Sequence, residues 1–94
     1  MNKIEKDEVD LLKCVGNEIR YRILQHLREE EKCVSEIMES LDKEQTLISH
    51  HLKSLHKCGF VKKEKEGRKV IYRISDPIVL EFMEKIKELS ERKC

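Results

Sequence analysis

The 94-residue chain reads as a mainly α-helical fold carrying one two-stranded β-ribbon. Apolar side chains recur at three- and four-residue spacing over most of its length, the period of a helix with one buried face. Residues 60–74 instead alternate apolar and polar around a glycine, the period of a hairpin. The boundaries between these stretches hold residues that break or cap helices: Gly16-Asn17, Gly59 and Asp76-Pro77. The length bounds one domain, residues 1–94. Apolar residues make up 38% of the chain and charged residues 41%, which is polar for a globular domain. Their strict periodicity nevertheless argues for a folded chain rather than a disordered one. A core this small is often completed by self-association.

The first helix is expected from Lys6 to Val15, with Val9, Leu12 and Val15 on one side. Asn17 is a natural N-cap for a second helix to about Glu30, striped by Ile19, Ile23, Leu24 and Leu27. Glu29, Glu30, Glu31 and Lys32 are expected to end it in solvent. A short third helix follows from Ser35 to Leu41, where Val34, Ile37, Met38 and Leu41 fall within an arc of about 100°. Beyond the turn Asp42-Lys43-Glu44, a fourth helix runs from Gln45 to Cys58, and Gly59 stops it. Two strands, Phe60 to Lys65 and Lys69 to Ile74, meet at Gly67, with Val70, Tyr72 and Ile74 facing inward. Asp76 caps a last helix, Pro77 fits its first position, and it continues to about Lys93. The order α-α-α-α-β-β-α places a helical pair joined by a tight turn directly before a β-ribbon. That is the layout of a winged helix-turn-helix.

The net charge of +1 hides an uneven distribution. Residues 45–73 hold eight lysines and arginines against two glutamates, a net +6, as a phosphate-binding surface requires. On the fourth helix, at about 100° per residue, Ile48, Leu52 and Leu55 form a narrow apolar seam. Thr46, Ser49, His50 and Lys53 lie opposite, with Gln45 one turn earlier and no acidic residue among them. Such groups bond base edges and phosphates when a helix lies in the major groove; a glutamine suits adenine, and Lys53 suits a phosphate. The hairpin KKEKEGRK adds Lys62, Lys63, Lys65, Arg68 and Lys69, with the last two beside the turn. The DNA-binding candidates are therefore Gln45, Thr46, Ser49, His50, Lys53, Arg68 and Lys69. The competing reading is a winged-helix protein-interaction module that does not touch DNA, its polar face merely solvated. His51 borders the buried seam and reads as a packing or hydrogen-bonding residue. His26 and His56 read as surface or boundary residues.

The N-terminal stretch MNKIEKDEVDLLKCVG has no apolar run of signal-peptide length, and no segment approaches a membrane span. A soluble, cytoplasmic protein with no membrane partner is the expectation. A phosphate-binding glycine loop, paired catalytic carboxylates and a nucleophile–base motif are all missing, so no enzyme activity is expected. Four cysteines (Cys14, Cys33, Cys58 and Cys94) form no CxxC or CxC pair, and reduced thiols are the default in the cytosol.

LKCVGNEIRYRILQHL resembles the opening of ArsR/SmtB-family repressors. LISHHLKSLHKCGFVKKEKEGRKVIYRIS resembles their recognition helix and wing, centred on Ser49-His50-His51-Leu52. The resemblance covers about residues 9–77. It implies a homodimer built on the first and last helices, binding double-stranded DNA at an inverted-repeat operator near its own promoter and released by an inducer. The apolar face of the last helix, Val79, Phe82, Met83, Ile86 and Leu89, suits such a dimer or, alternatively, packing within the monomer.

Each metal site of the family is incomplete in this chain. Arsenite-, cadmium- and lead-sensing members carry Cys-Val-Cys within ELCVCDL; here EKCVSEI keeps Cys33 but places Ser35 at the second thiol, and a hydroxyl is a poor ligand for a soft ion. Zinc sensors use Asp and His on the last helix, and no histidine follows His56. Recognition-helix sites use two cysteines and a third near the C-terminus; Cys58 and Cys94 match, while Ser54 occupies the remaining place. His51 and Cys58 lie about 10 Å apart along the helix, too far to share an ion. Three readings stay open: a thiol site for As(III) or a soft metal from Cys33, Cys58 or Cys94, an oxidation or persulfide switch between two thiols, or structural cysteines, with Cys14 in the core. One further departure is Glu44, where the family places a serine N-cap. Asp42 or Thr46 is expected to take over and shift the helix start.

Overall fold

The computed structural model describes residues 3–93. In chain order these form α1 (Lys3–Val15), α2 (Glu18–Glu29), β1 (Lys32–Cys33), α3 (Val34–Leu41), α4 (Gln45–Lys57), β2 (Val61–Glu66), β3 (Lys69–Ile74) and α5 (Pro77–Arg92). The architecture is mainly α with a β-hairpin wing, and the expected helices and hairpin are present. The expected caps also form. Asn17 Oδ1 accepts from Arg20 N at 3.1 Å, and Asp76 Oδ1 accepts from Ile78 N at 2.9 Å. Each satisfies a backbone donor that the helix itself leaves unpaired.

Helix α4 departs from the expected cap exchange. Asp42 ends α3 in the left-handed region (φ 53°), so it serves the preceding helix. Glu44 remains at the N-cap of α4 with no side-chain bond to the helix. The start is not shifted: Ile48 N reaches Glu44 O at 3.1 Å, and the first turn closes from the backbone alone.

A third strand is the other difference. Lys32 and Cys33 do not trail into solvent; they pair antiparallel with Tyr72 and Ile71, giving the sheet order β1-β3-β2. Lys32 is buried as a result, and its ammonium reaches Glu30 Oε1 at 3.1 Å. Two residues are too few to show an alternating pattern, so this strand left no periodic trace in the sequence.

The core gathers Ile23, Leu24 and Leu27 of α2, Ile37 of α3, Ile48, Leu52 and Leu55 of α4, and Val79 and Met83 of α5. Cys14 and Val15 close it from α1, and Phe60 and Val61 from the start of the hairpin. Tyr72 and Ile74 pack against it as expected. Val70 does not: it is half-buried, further towards the wing tip, and outside the core cluster.

Candidate nucleic-acid interface

Ile48, Leu52 and Leu55 are fully buried, so packing fixes how α4 is rotated about its axis. The rest follows from helical geometry. Thr46, Ser49, His50 and Lys53 emerge exposed on the far side, and Gln45 is exposed at the helix start. No acidic side chain lies among them. The buried side of α4 rests on α1, α2, α3 and β2.

A charged cluster holds this helix from below. Arg20 of α2 donates from Nε to His51 Nδ1 at 3.0 Å and from Nη1 to the Cys14 carbonyl at 3.2 Å. One guanidinium therefore joins the end of α1, the start of α2 and the middle of α4. Burial lowers the His51 pKa from its ordinary value, and the positive charge of Arg20 and the neighbouring His50 lower it further. A neutral ring is what this geometry needs, because Nδ1 must keep its lone pair to accept from arginine. His51 is thus a packing and hydrogen-bonding residue, as the seam predicted. Arg20 was not picked out by the sequence; nothing in its local pattern announces a partner 31 positions away.

The wing is a tight hairpin. Glu66 pairs with Lys69, leaving Gly67 and Arg68 as the two-residue turn. Gly67 has φ 64°, a conformation that costs glycine nothing. Lys62, Lys63, Lys65, Arg68 and Lys69 are all exposed. Among the described residues no carboxylate comes within ion-pair distance of Lys53, Arg68 or Lys69. Lys69 does contribute a favourable field at the Glu36 carboxylate. Arg73, by contrast, is consumed structurally. Its Nη2 lies 2.7 Å from Glu64 Oε2 and 4.0 Å from Glu31 Oε2, clamping the wing base to the segment after α2. Only the register of β2 on β3, which places Glu64 diagonally from Arg73, could have revealed that role.

The candidate thiols are dispersed. Cys33 is buried at the N-cap of α3; its backbone N–H donates to Glu36 Oε1 at 2.9 Å, and its Sγ lies 3.2 Å from Ser35 Oγ. The hydrogen bonds from Cys33 hold the Glu36 carboxyl below its usual range. Cys58 is the half-buried C-cap of α4, and Cys94 lies outside the described residues. Among the described residues no three His, Cys, Asp or Glu side chains gather into a group able to hold a metal ion. The donors of the described residues do not fit a bound metal. No helix among the described residues is long and apolar enough to cross a membrane.

Residues 17–63 match the model of the bacterial regulatory protein, arsR family. Over 67 residues the chain is 40% identical to the HTH-type transcriptional repressor SmtB of Mycobacterium tuberculosis, covering 71% of this chain. That match spans 50% of the repressor, so the chain corresponds to about half of that protein's length. Over 90 residues it is 41% identical to the uncharacterized HTH-type transcriptional regulator MJ1325 of Methanocaldococcus jannaschii, covering 95% of this chain and all of that one. The homodimeric winged helix-turn-helix DNA-binding domain Mb0332 of Mycobacterium bovis superposes with a TM-score of 0.88. That superposition covers 94% of this chain and 82% of the other at 24% identity, a likeness of fold.

Proposed function

The chain belongs to the arsR family of bacterial regulatory proteins, and from that membership we propose that it is a sequence-specific transcriptional repressor. It acts in the cytoplasm as a single DNA-binding domain, paired with a second copy of itself. The observation that carries this reading is the acid-free exposed face of α4 beside a wing whose tip cations, Arg68 and Lys69, have no ion-pair partner among the described residues. Inserted in the major groove, α4 presents Gln45, Thr46, Ser49 and His50 to base edges, while Lys53 grips a phosphate. Arg68 and Lys69 reach the flanking backbone or minor groove from the wing tip. Two such units related by a two-fold axis read an inverted repeat with half-sites about 34 Å apart, one turn of duplex. Nothing in this arrangement calls for catalysis.

Release from DNA runs through the thiols. A soft metal or metalloid held by Cys33, Cys58 or Cys94 would draw ligands from Cys94 or from the partner subunit, since no three donors gather among the described residues of one protomer. Oxidation needs only two sulfurs.

Salt titration of duplex binding tests the interface. A dimer that contacts six or more phosphates loses about 10³ in affinity between low and moderate salt. Lys53→Ala is expected to weaken operator and random duplex about equally and to flatten the salt slope. Ser49→Ala with His50→Ala is expected to weaken the operator more than random sequence. Equal losses from both sets of changes would remove Ser49 and His50 from base reading.

A further inference from the structure

One pair of cysteines is left unused by the DNA interface. Cys14 lies in the last turn of α1 and is buried; Cys58 caps α4 and is half-buried. Both are free thiols. The Cys14 thiol donates to the Ser54 carbonyl at 3.6 Å, and the neighbouring Cys58 strengthens its hold on that proton. Ser54 sits one helical turn before Cys58, so Cys14 lies against the end of α4 that Cys58 occupies. Both cysteines line one open cleft of about 600 Å³, shared with Arg20, Ser54 and Lys57. Among the described residues Cys33 has no such neighbour; its sulfur lies 3.2 Å from Ser35 Oγ.

We propose that Cys14 and Cys58 are a reversible disulfide site, closed by a hydroperoxide, that ties α1 to the end of α4 and weakens DNA binding. Burial, with the bond to Cys58, pushes the Cys14 thiol up to about 11, so it stays protonated and Cys58, the more exposed sulfur, reacts first. The Cys58 sulfur attacks the peroxide, an S–O bond forms as O–O breaks, and the second oxygen leaves as water or alcohol. The Cys14 sulfur then displaces the Cys58 hydroxyl: S–S forms, S–O breaks, and the hydroxyl departs as water with the Cys14 proton. Two electrons pass from the sulfurs to the peroxide. The Arg20 guanidinium, bonded to the Cys14 carbonyl, favours the Cys14 thiolate as its proton leaves.

The bond requires an S–S separation of about 2.05 Å, shorter than a hydrogen-bonded contact. The seam of α4 is close-packed, so the helix must move as a body rather than bend at its end. Its partner α1 carries exposed Leu11 and Leu12. A shift between the two helices therefore resets the spacing of the two base-reading helices in a dimer. This consequence rests on the DNA-binding reading above; formation of the bond does not.

The test uses the full chain and a duplex selected from a random-sequence pool by the reduced protein. After hydrogen peroxide treatment and alkylation, peptide mapping without reductant should show Cys14 joined to Cys58, lighter by two hydrogens and restored by dithiothreitol. The link should persist in Cys33→Ser and vanish in Cys14→Ser and Cys58→Ser. Oxidation should lower duplex affinity about tenfold, within the usual range of coupled sites, in wild type and Cys33→Ser but not in Cys58→Ser. No Cys14–Cys58 peptide, or links through Cys33 or Cys94 in its place, overturns the site. A linked peptide with unchanged affinity overturns the switch. Failure of the reduced protein to select any duplex overturns the DNA-binding reading, while peptide mapping still decides the disulfide.

Discussion

His51 and Arg20 make a contact that holds only while the imidazole is neutral, and this gives the protein an acid-sensitive joint beneath α4. Burial, then the charges of Arg20 and His50, depress the His51 pKa below 6.5. As pH falls, the unfolded chain binds this proton first, so stability is full above about 6.5 and declines as pH drops towards the folded-state pKa. Urea denaturation should show the loss setting in as pH falls below about 6.5. His51→Asn supplies a non-titrating acceptor for Arg20 and should flatten that slope; equal slopes in both proteins would place the acid sensitivity elsewhere. His51→Leu, which leaves the Arg20 Nε–H without its acceptor, should cost about 1–3 kcal/mol. The sequence was legible here up to a point: helical angles put His51 at the edge of the seam. They could not supply Arg20, because that pairing exists only once α2 and α4 are packed.

Helix α4 begins with a defect that its neighbours tolerate. Glu44 occupies the N-cap with no side-chain bond to the helix, and its exposed carboxylate directly precedes Gln45. Glu44→Ser should supply the missing bond and raise stability by about 0.5–1 kcal/mol in a thermal or chemical melt. Removing the charge should also tighten binding to random duplex at low salt. A gain in stability with no change in binding would mean that the start of α4 stands clear of the phosphates. The wing has its own joint at Arg73. With Arg73→Ala, Glu31 and Glu64 lose their cation and the wing base its clamp. Duplex affinity should fall in anisotropy titrations although Arg73 is assigned no phosphate, and Glu64→Gln in the same background should recover part of it. The long helices and the hairpin could be read from periodicity because each spans several turns or alternations. Strand β1 could not, since two residues gain strand geometry only from the edge of β3.

Among the described residues the large apolar side chains left exposed all lie on α1 and α5: Leu11, Leu12, Ile78, Ile86 and Leu89. Between these helices runs an apolar cleft of about 450 Å³ lined by Leu11, Leu12, Val15, Phe60, Ile78 and Phe82. The stripe on the last helix resolves into two uses. Val79 and Met83 turn into the monomer core, whereas Ile86 and Leu89 are 37% and 66% exposed, and Ile78, outside the expected stripe, is 65% exposed. A helical stripe looks the same in sequence whether it covers its own core or a partner, which is why the two could not be separated beforehand. Burying one such side chain stabilises an association by about 1.5–3 kcal/mol, and a two-fold axis counts each of them twice. Ile78→Glu with Leu89→Glu should therefore raise the dimer dissociation constant more than about a hundredfold by sedimentation. Helical circular dichroism should hold, because neither side chain belongs to the core. Operator affinity should then collapse towards that of a lone half-site while random-duplex binding per protomer persists. A variant that stays dimeric would place the two-fold contact elsewhere. A wild type that sediments as a monomer while still reading an inverted repeat would show that the two copies meet only on DNA.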